Sequence, residues 1–218
     1  MLRCALFDLE GTLVDFQWNL EEAEARLREA AAAVLGCAPE AFEGLNYAGI
    51  LREGRRRAPD ADARGRLVRA LAPIYDHYDL DAASRWSLRP GAERVLSTLA
   101  RGGIPRALAT NVGRLAVARV LARLGIGELL PVVVTRNDVT DLKPSPEGLL
   151  RALEALGCAP DESLMVGDSL SDVGAARTAG LRVAIVLGGE SPEAAIRRAG
   201  PDHVVSRLEE ILPLFGLP

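Results

Sequence analysis

From Arg89 onward, short, wholly apolar segments alternate with helical ones, and this alternation leaves few folds open. Arg106–Ala109, apolar after its leading arginine, and the apolar runs Val132–Val134, Leu164–Val166 and Val183–Val186 are of strand length. Between them lie helical patterns. One runs from Ala92 to Arg101 before Gly102-Gly103, and another from Arg114 to Leu124 before Gly125. A third starts at Ser145-Pro146-Glu147 and closes at Gly157, with Ser145 expected as cap and Pro146 in the first helical position. A fourth stops at Gly180. Strands with no polar alternation are buried on both faces, so the expected class is α/β, a parallel sheet with helices on either side. Another apolar strand, Cys4-Ala5-Leu6-Phe7, opens the chain and runs into Asp8 and a loop holding Gly11 and Thr12.

Residues 15–88 have a different texture. Asn19 is expected to cap a helix with Glu22 three residues on, Leu20, Ala23, Leu27 and Val34 fall near one face, and Gly36 stops it. Polar, arginine-rich helical sequence continues to about Ser87 without a convincing strand. The expected organisation is a core domain from residues 1–14 and 89–218, with an all-helical domain of residues 15–88 inserted after the first strand. A chain of 218 residues with 4% aromatics must build its core mainly from Leu, Val, Ile and Ala. A net charge of −4 with acids and bases intermixed argues against nucleic acid as a partner. Cys4, Cys37 and Cys158 are odd in number and widely spaced, which suits reduced thiols in a cytoplasmic protein. The acids at Asp8 and Glu10 interrupt the first apolar stretch, and no run reaches membrane-spanning length, so neither a signal peptide nor a membrane partner is expected.

Open parallel sheets bind ligands beyond the carboxyl ends of their strands. Those ends carry Asp8-Leu9-Glu10-Gly11-Thr12, Thr110-Asn111, a loop with Lys143, and Gly167-Asp168-Ser169 with Asp172 beyond. Lys143 is the only lysine among 26 basic residues, all the others being arginine. A compact ammonium fits beside a carboxylate and a phosphate oxygen together, where a planar guanidinium does not. Acids are common in loops, but this set on one edge is hard to obtain by accident.

In this order the motifs resemble those of the haloacid dehalogenase-like hydrolases: Asp-x-acid-Gly-Thr, Thr-Asn, Lys-Pro, and Gly-Asp-x-x-x-Asp. The resemblance covers essentially the whole chain. The segment 15–88 sits where that family inserts a C1-type cap, and Arg89-Pro90-Gly91 and Lys143-Pro144-Ser145-Pro146 look like the phosphoglycolate phosphatase-like branch. The resemblance implies a Rossmann-like core and a Mg²⁺-dependent phosphatase acting on a small phosphorylated metabolite, as a monomer or homodimer. Asp8 would be the nucleophile, forming an aspartyl-phosphate. Asp8, the backbone carbonyl of Glu10 and Asp168 would hold Mg²⁺, with Asp172 in its outer shell. Thr110 and the Asn111 N–H would bind phosphate oxygens, and Lys143 would balance the charge of Asp8 and the phosphoryl group.

Glu10 departs from the aspartate usual in family phosphatases. It offers the same acid chemistry with one more methylene of reach, and is expected to serve as general acid and base. Dehalogenation or phosphonate cleavage on the same scaffold is the alternative, along with a non-catalytic binding or regulatory role. An acid at position 10 disfavours the first two, and a phosphonatase would need a cap lysine that this chain lacks. The full set Asp8, Thr110, Lys143 and Asp168 disfavours the third.

Arg52, Arg55, Arg56 and Arg57 form the densest basic cluster; such a run grips substrate anions in some caps and is more often a solvated helix face. His77 and His203 lack metal-ligand spacing, and Trp18 suits hinge or core packing as well as a substrate entrance. Ser169 is a candidate partner to the metal ligands, while nothing in the sequence separates Asp15 and Asp138 from ordinary loop acids.

Overall fold

The computed structural model describes residues 2–218. In chain order its main elements are β1 (Cys4–Phe7), α1 (Leu20–Leu35), α2 (Tyr47–Arg57), α3 (Ala61–Arg85), α4 (Ala92–Arg101), β2 (Arg106–Ala109) and α5 (Arg114–Leu124). There follow β3 (Val132–Val134), α6 (Glu147–Leu156), β4 (Ser163–Gly167), α7 (Leu170–Ala179), β5 (Arg182–Val186), α8 (Glu193–Ala199) and β6 (His203–Val205), then a 3₁₀ segment, Leu208–Phe215. The chain divides into two compact units, one of residues 1–16 and 86–218, the other of residues 17–85.

The first unit is α/β. Its six strands are all parallel, in the order β3-β2-β1-β4-β5-β6. Strand β6 was not anticipated: it is three residues long, at an edge, and only half-buried over His203 and Val204, so it lacks the unbroken apolar signature of the others. Alternation within the strands feeds two cores. Cys4 and Leu6 of β1, Ala107 and Ala109 of β2, Met165 of β4, and Val183 and Ile185 of β5 pack with Leu149 and Leu153 of α6, Val173 and Ala176 of α7, and Ile196 of α8. The intervening residues, such as Ala5, Phe7, Leu108 and Val166, are equally buried and point to the opposite face. Helix α6 starts one residue later than expected: Pro146 is its cap, and the Ser145 hydroxyl accepts a long 3.4 Å bond from the Glu147 N–H.

Both loops next to the insert belong to this unit. Val14 bridges Leu88, the Asp15 N–H donates to the Ser87 carbonyl, and the Asp15 carboxylate accepts from the Ser87 N–H at 2.7 Å. The unit boundaries therefore fall at 16/17 and 85/86, whereas the sequence suggested 14/15 and 88/89. The paired strand-like ends stay with the core.

The second unit is entirely helical in its regular elements. Asn46 caps α2 by accepting from the Gly49 N–H at 3.0 Å. Asn19 does not cap α1 through its side chain; its amide instead donates to Glu22 at 2.7 Å, and Gly36 ends the helix in the left-handed conformation. Gly54 lets α2 approach α3 closely, since a Cβ there would come within 2.7 Å of Leu67 Cδ2. The core combines aliphatic residues (Leu27, Ile50, Leu67, Leu71) with a polar aromatic network. Tyr47 donates to the fully buried Asp79 at 2.7 Å, Tyr75 donates to the Tyr47 carbonyl at 2.7 Å, and Trp18 packs edge-on against Tyr47 at 5.0 Å. Among the described residues no helix is long and apolar enough to cross a membrane.

Candidate active site

In the strand order 3-2-1-4-5-6 the direction of winding reverses between β1 and β4, and a crevice opens there at the carboxyl edge. Asp8 is the residue after β1, and Asp168 the residue after β4. The Asp8 N–H donates to the Val166 carbonyl at 2.9 Å, which extends the β1–β4 pairing to the point where the side chain emerges. Carboxylate oxygens of Asp8, Asp168 and Asp172 lie within 4.8 Å of one another, and all three residues are buried.

Lys143 joins this cluster. Its ammonium is 2.7 Å from Asp8 Oδ1 and 2.7 Å from Asp172 Oδ1, with 6% of the side chain exposed. The loop that delivers it is held by Asn111, whose Oδ1 accepts from the Lys143 N–H at 2.9 Å and whose Nδ2 donates to the Lys143 carbonyl at 3.3 Å. That side-chain clamp was not foreseen, because residue type at a strand end does not reveal which backbone it will grip. Thr110 is buried beside it; its hydroxyl accepts from the Val112 N–H at 3.2 Å and lies 3.4 Å from Glu10 Oε2, to which it donates. Glu10 itself is half-buried, and its side chain lies outside the three-carboxylate cluster.

Asp172 is held on both oxygens. As the third residue of α7 it completes a capping box: the Ser169 N–H and hydroxyl donate to its Oδ2 at 3.1 and 2.7 Å, and the Asp168 N–H does so at 3.2 Å. Its other oxygen holds Lys143. Gly167 is required beside it, because a Cβ there would strike the Asp172 carboxylate. Ser169 therefore acts on Asp172. Asp168 is gripped from two loops, by the Thr12 hydroxyl on Oδ1 at 3.2 Å and by the Glu190 N–H on Oδ2 at 2.6 Å. Neither Thr12 nor Glu190 was singled out in the sequence for this contact.

Electrostatics follow from this crowding. Burial, then the charge of Asp172, push the Asp8 carboxyl from 3.8 up to about 6, against the pull of Lys143. Burial, then Asp172 and Asp8, hold Asp168 well above the ordinary carboxylate range. Burial draws Lys143 down, but Asp172 and Asp8 outweigh it and its pKa is raised. Three buried carboxylates cluster around one ammonium, so when all are ionised the acids outnumber it by two (three minus one). Asp8 Oδ1 is buried and meets the ammonium as a close ion pair. An all-oxygen set with this surplus suits a hard divalent cation, which would relieve the repulsion that raises Asp8 and Asp168.

The other candidates do not join the cluster. Asp138 accepts from the Thr135 N–H at 2.9 Å and hydroxyl at 2.6 Å and pairs with Arg114, while Asp15 closes the loop at Ser87. Arg56 and Arg57 pair with Glu53 on their own helix, and Arg57 lies 5.7 Å over Phe42. His77 is exposed and stacks edge-on against Tyr78, and His203 lies in β6.

A central parallel sheet whose switch point carries buried carboxylates and one lysine presents an acidic ligand site at the strand ends. The haloacid dehalogenase-like hydrolase model matches residues 2–180. The chain is 34% identical over 224 residues to a phosphoglycolate phosphatase of Yersinia pseudotuberculosis serotype I (strain IP32953), covering 100% of this chain and 94% of that protein. It is 30% identical over 236 residues to a phosphoglycolate phosphatase of Escherichia coli (strain K12), covering 100% and 94% respectively. The fold is that of a hydrolase from Pseudomonas syringae, with a TM-score of 0.68, 24% identity and 98% of each chain covered. The protein belongs to the haloacid dehalogenase-like hydrolase family.

Proposed function

We propose that the protein is a Mg²⁺-dependent phosphatase that hydrolyses a small phosphate monoester through an aspartyl-phosphate at Asp8. The observation that carries this reading is the Asp8 carboxylate at the switch point, 2.7 Å from Lys143 and clustered with Asp168 and Asp172. In-line phosphoryl transfer needs a nucleophile, charge neutralisation and donors to the equatorial oxygens. Asp8 and Asp168, with the Glu10 carbonyl, would hold Mg²⁺, which when bound neutralises phosphoryl charge and leaves the carboxylates ionised.

Asp8 attacks phosphorus with one oxygen. Lys143 neutralises charge shared between Asp8 and the phosphoryl group, and Asp172 keeps the ammonium in place. The Thr110 hydroxyl and the Asn111 N–H donate to phosphoryl oxygens. Glu10 protonates the departing alkoxide and then accepts a proton from the water that hydrolyses the acyl-phosphate. The helical unit, residues 17–85, serves as the cap that excludes water and selects the leaving group. Phosphoglycolate is the first substrate to test, from the names of the relatives. This reading suits a monomer or homodimer in the cytoplasm.

The test is phosphate release from p-nitrophenyl phosphate, 2-phosphoglycolate and a panel of other small phosphate esters, with Mg²⁺ or with a chelator. Metal-dependent turnover of at least one ester is expected. Absence of any such turnover contradicts the phosphatase reading; turnover of esters other than phosphoglycolate redirects only the substrate.

A further inference from the structure

Arg89 lies outside the carboxylate cluster, but it bonds to the two loops that hold one member of it. Its backbone N–H donates to the Leu13 carbonyl at 2.9 Å, which fixes it alongside the loop after β1. Its half-buried guanidinium donates through Nη1 to the Gly11 carbonyl in that loop, and through Nη2 to the Leu187 carbonyl, just after β5, at 2.6 Å. These are the same two loops that grip Asp168. Thr12, next to Gly11, donates to Asp168 Oδ1, and Glu190, three residues beyond Leu187, donates to Asp168 Oδ2. Both loops also touch the carboxylate sterically, since a Cβ at Gly11 or at Gly189 would run into it; Gly11 is further committed by its φ of +66°.

We propose that Arg89 is a positioning residue for Asp168: by tying the loop after β1 to the loop after β5, it sets the two donors that orient the Asp168 carboxylate within the cluster. The inference rests on the reading of that cluster as a cation site. A planar fork with donors in fixed directions can hold two carbonyls at a set separation, which a lone ammonium does less well. Loss of a partner that orients a metal ligand typically costs roughly 10- to 100-fold in metal affinity.

The sign of the effect separates positioning from simple charge. The guanidinium is near enough to Asp168 to feel its charge. If Arg89 acted only as a neighbouring cation, removing it would strengthen Mg²⁺ binding by relieving repulsion. Positioning requires the opposite.

The experiment measures the Mg²⁺ dissociation constant by calorimetry and by the Mg²⁺-induced shift in unfolding midpoint, for the wild type, Arg89→Met, Arg89→Lys and Asp168→Asn. Arg89→Met is expected to weaken Mg²⁺ binding roughly 10- to 100-fold, with Arg89→Lys between it and the wild type. An Arg89→Met protein that binds Mg²⁺ as well as or better than the wild type overturns the proposal. If Arg89→Met fails to fold, Arg89→Lys decides, and unchanged affinity there overturns it. A wild type with no saturable Mg²⁺ binding that Asp168→Asn removes overturns the cation reading itself, a different result from a wild type that binds and a variant that binds equally.

Discussion

The same kind of contact, a cation beside a carboxylate, serves opposite ends in the two units. In the helical unit Glu53 pairs with Arg56 and Arg57, Asp62 with Arg66, and Asp81 with Arg85, each three or four residues apart within its own helix, the Asp62 and Asp81 pairs exposed and Glu53 half-buried. Such pairs support a helix surface and contribute little to stability. At the carboxyl edge of the sheet, Lys143 meets Asp8 and Asp172 from sequence positions far apart, all buried. There the groups are expensive to desolvate, and burial of this kind is typical of functional sites. On the proposed function, the ion pairs of the helical unit should tolerate substitution and those at the sheet edge should not.

The most severe break is Asp8→Asn. Loss of the nucleophile should reduce turnover on the order of 10⁴-fold or more, as for other covalent catalysts. Its unfolding midpoint in chelator should not fall, because the raised pKa of Asp8 means that its charge is a liability to the fold. Activity lost together with stability would point to collapse of the site instead.

Glu10→Gln should cost about 10²- to 10⁴-fold, most for alkyl phosphates with poor leaving groups and least for p-nitrophenyl phosphate. Equal losses across leaving groups would remove Glu10 from the role of acid. Lys143→Met strands buried carboxylates and should destabilise by about 3–5 kcal/mol in denaturant titration. Lys143→Arg keeps the charge but not the shape, so near-normal activity in that variant would contradict the fit of an ammonium between Asp8 and Asp172.

A smaller effect is expected with pH. Asp8 has a folded pKa of about 6 against 3.8 ordinarily, so the stability it contributes below 3.8 is lost as pH rises through about 6 in metal-free protein. Mg²⁺ competes with those protons, so its stabilising shift should grow between pH 5 and pH 7. A shift independent of pH would mean that these carboxylates are not the ligands. At the far end of the scale, Arg56→Ala should leave the unfolding midpoint and turnover unchanged; a clear loss of turnover would give the arginine cluster a role in substrate binding.

Much of the edge chemistry was legible in the sequence, because a parallel sheet presents the residue after each strand to one crevice. Asp8, Thr110 and Asp168 directly follow their strands, whereas Asn111 lies one residue further on and Lys143, in the long loop after β3, stood out as the only lysine. Their detailed partners were not legible. The Thr12 hydroxyl reaches Asp168 across 156 positions, and Arg89 reaches Gly11 across 78 and Leu187 across 98. No local pattern carries such distances. The sixth strand escaped for a different reason, being a short, half-buried edge with a weak apolar signal. The helical unit's buried Tyr47–Asp79 bond was equally hidden, since a tyrosine and an aspartate on helical sequence read first as surface residues.

The most direct measurement traps the covalent step. Wild-type protein quenched during turnover of a substrate ester and reduced with borohydride should show residue 8 converted to homoserine by peptide mass spectrometry, dependent on Mg²⁺ and absent without substrate. Substrate consumed at full rate with Asp8 unmodified under those conditions, or the modification found at another carboxylate, would contradict the assignment of Asp8 as nucleophile.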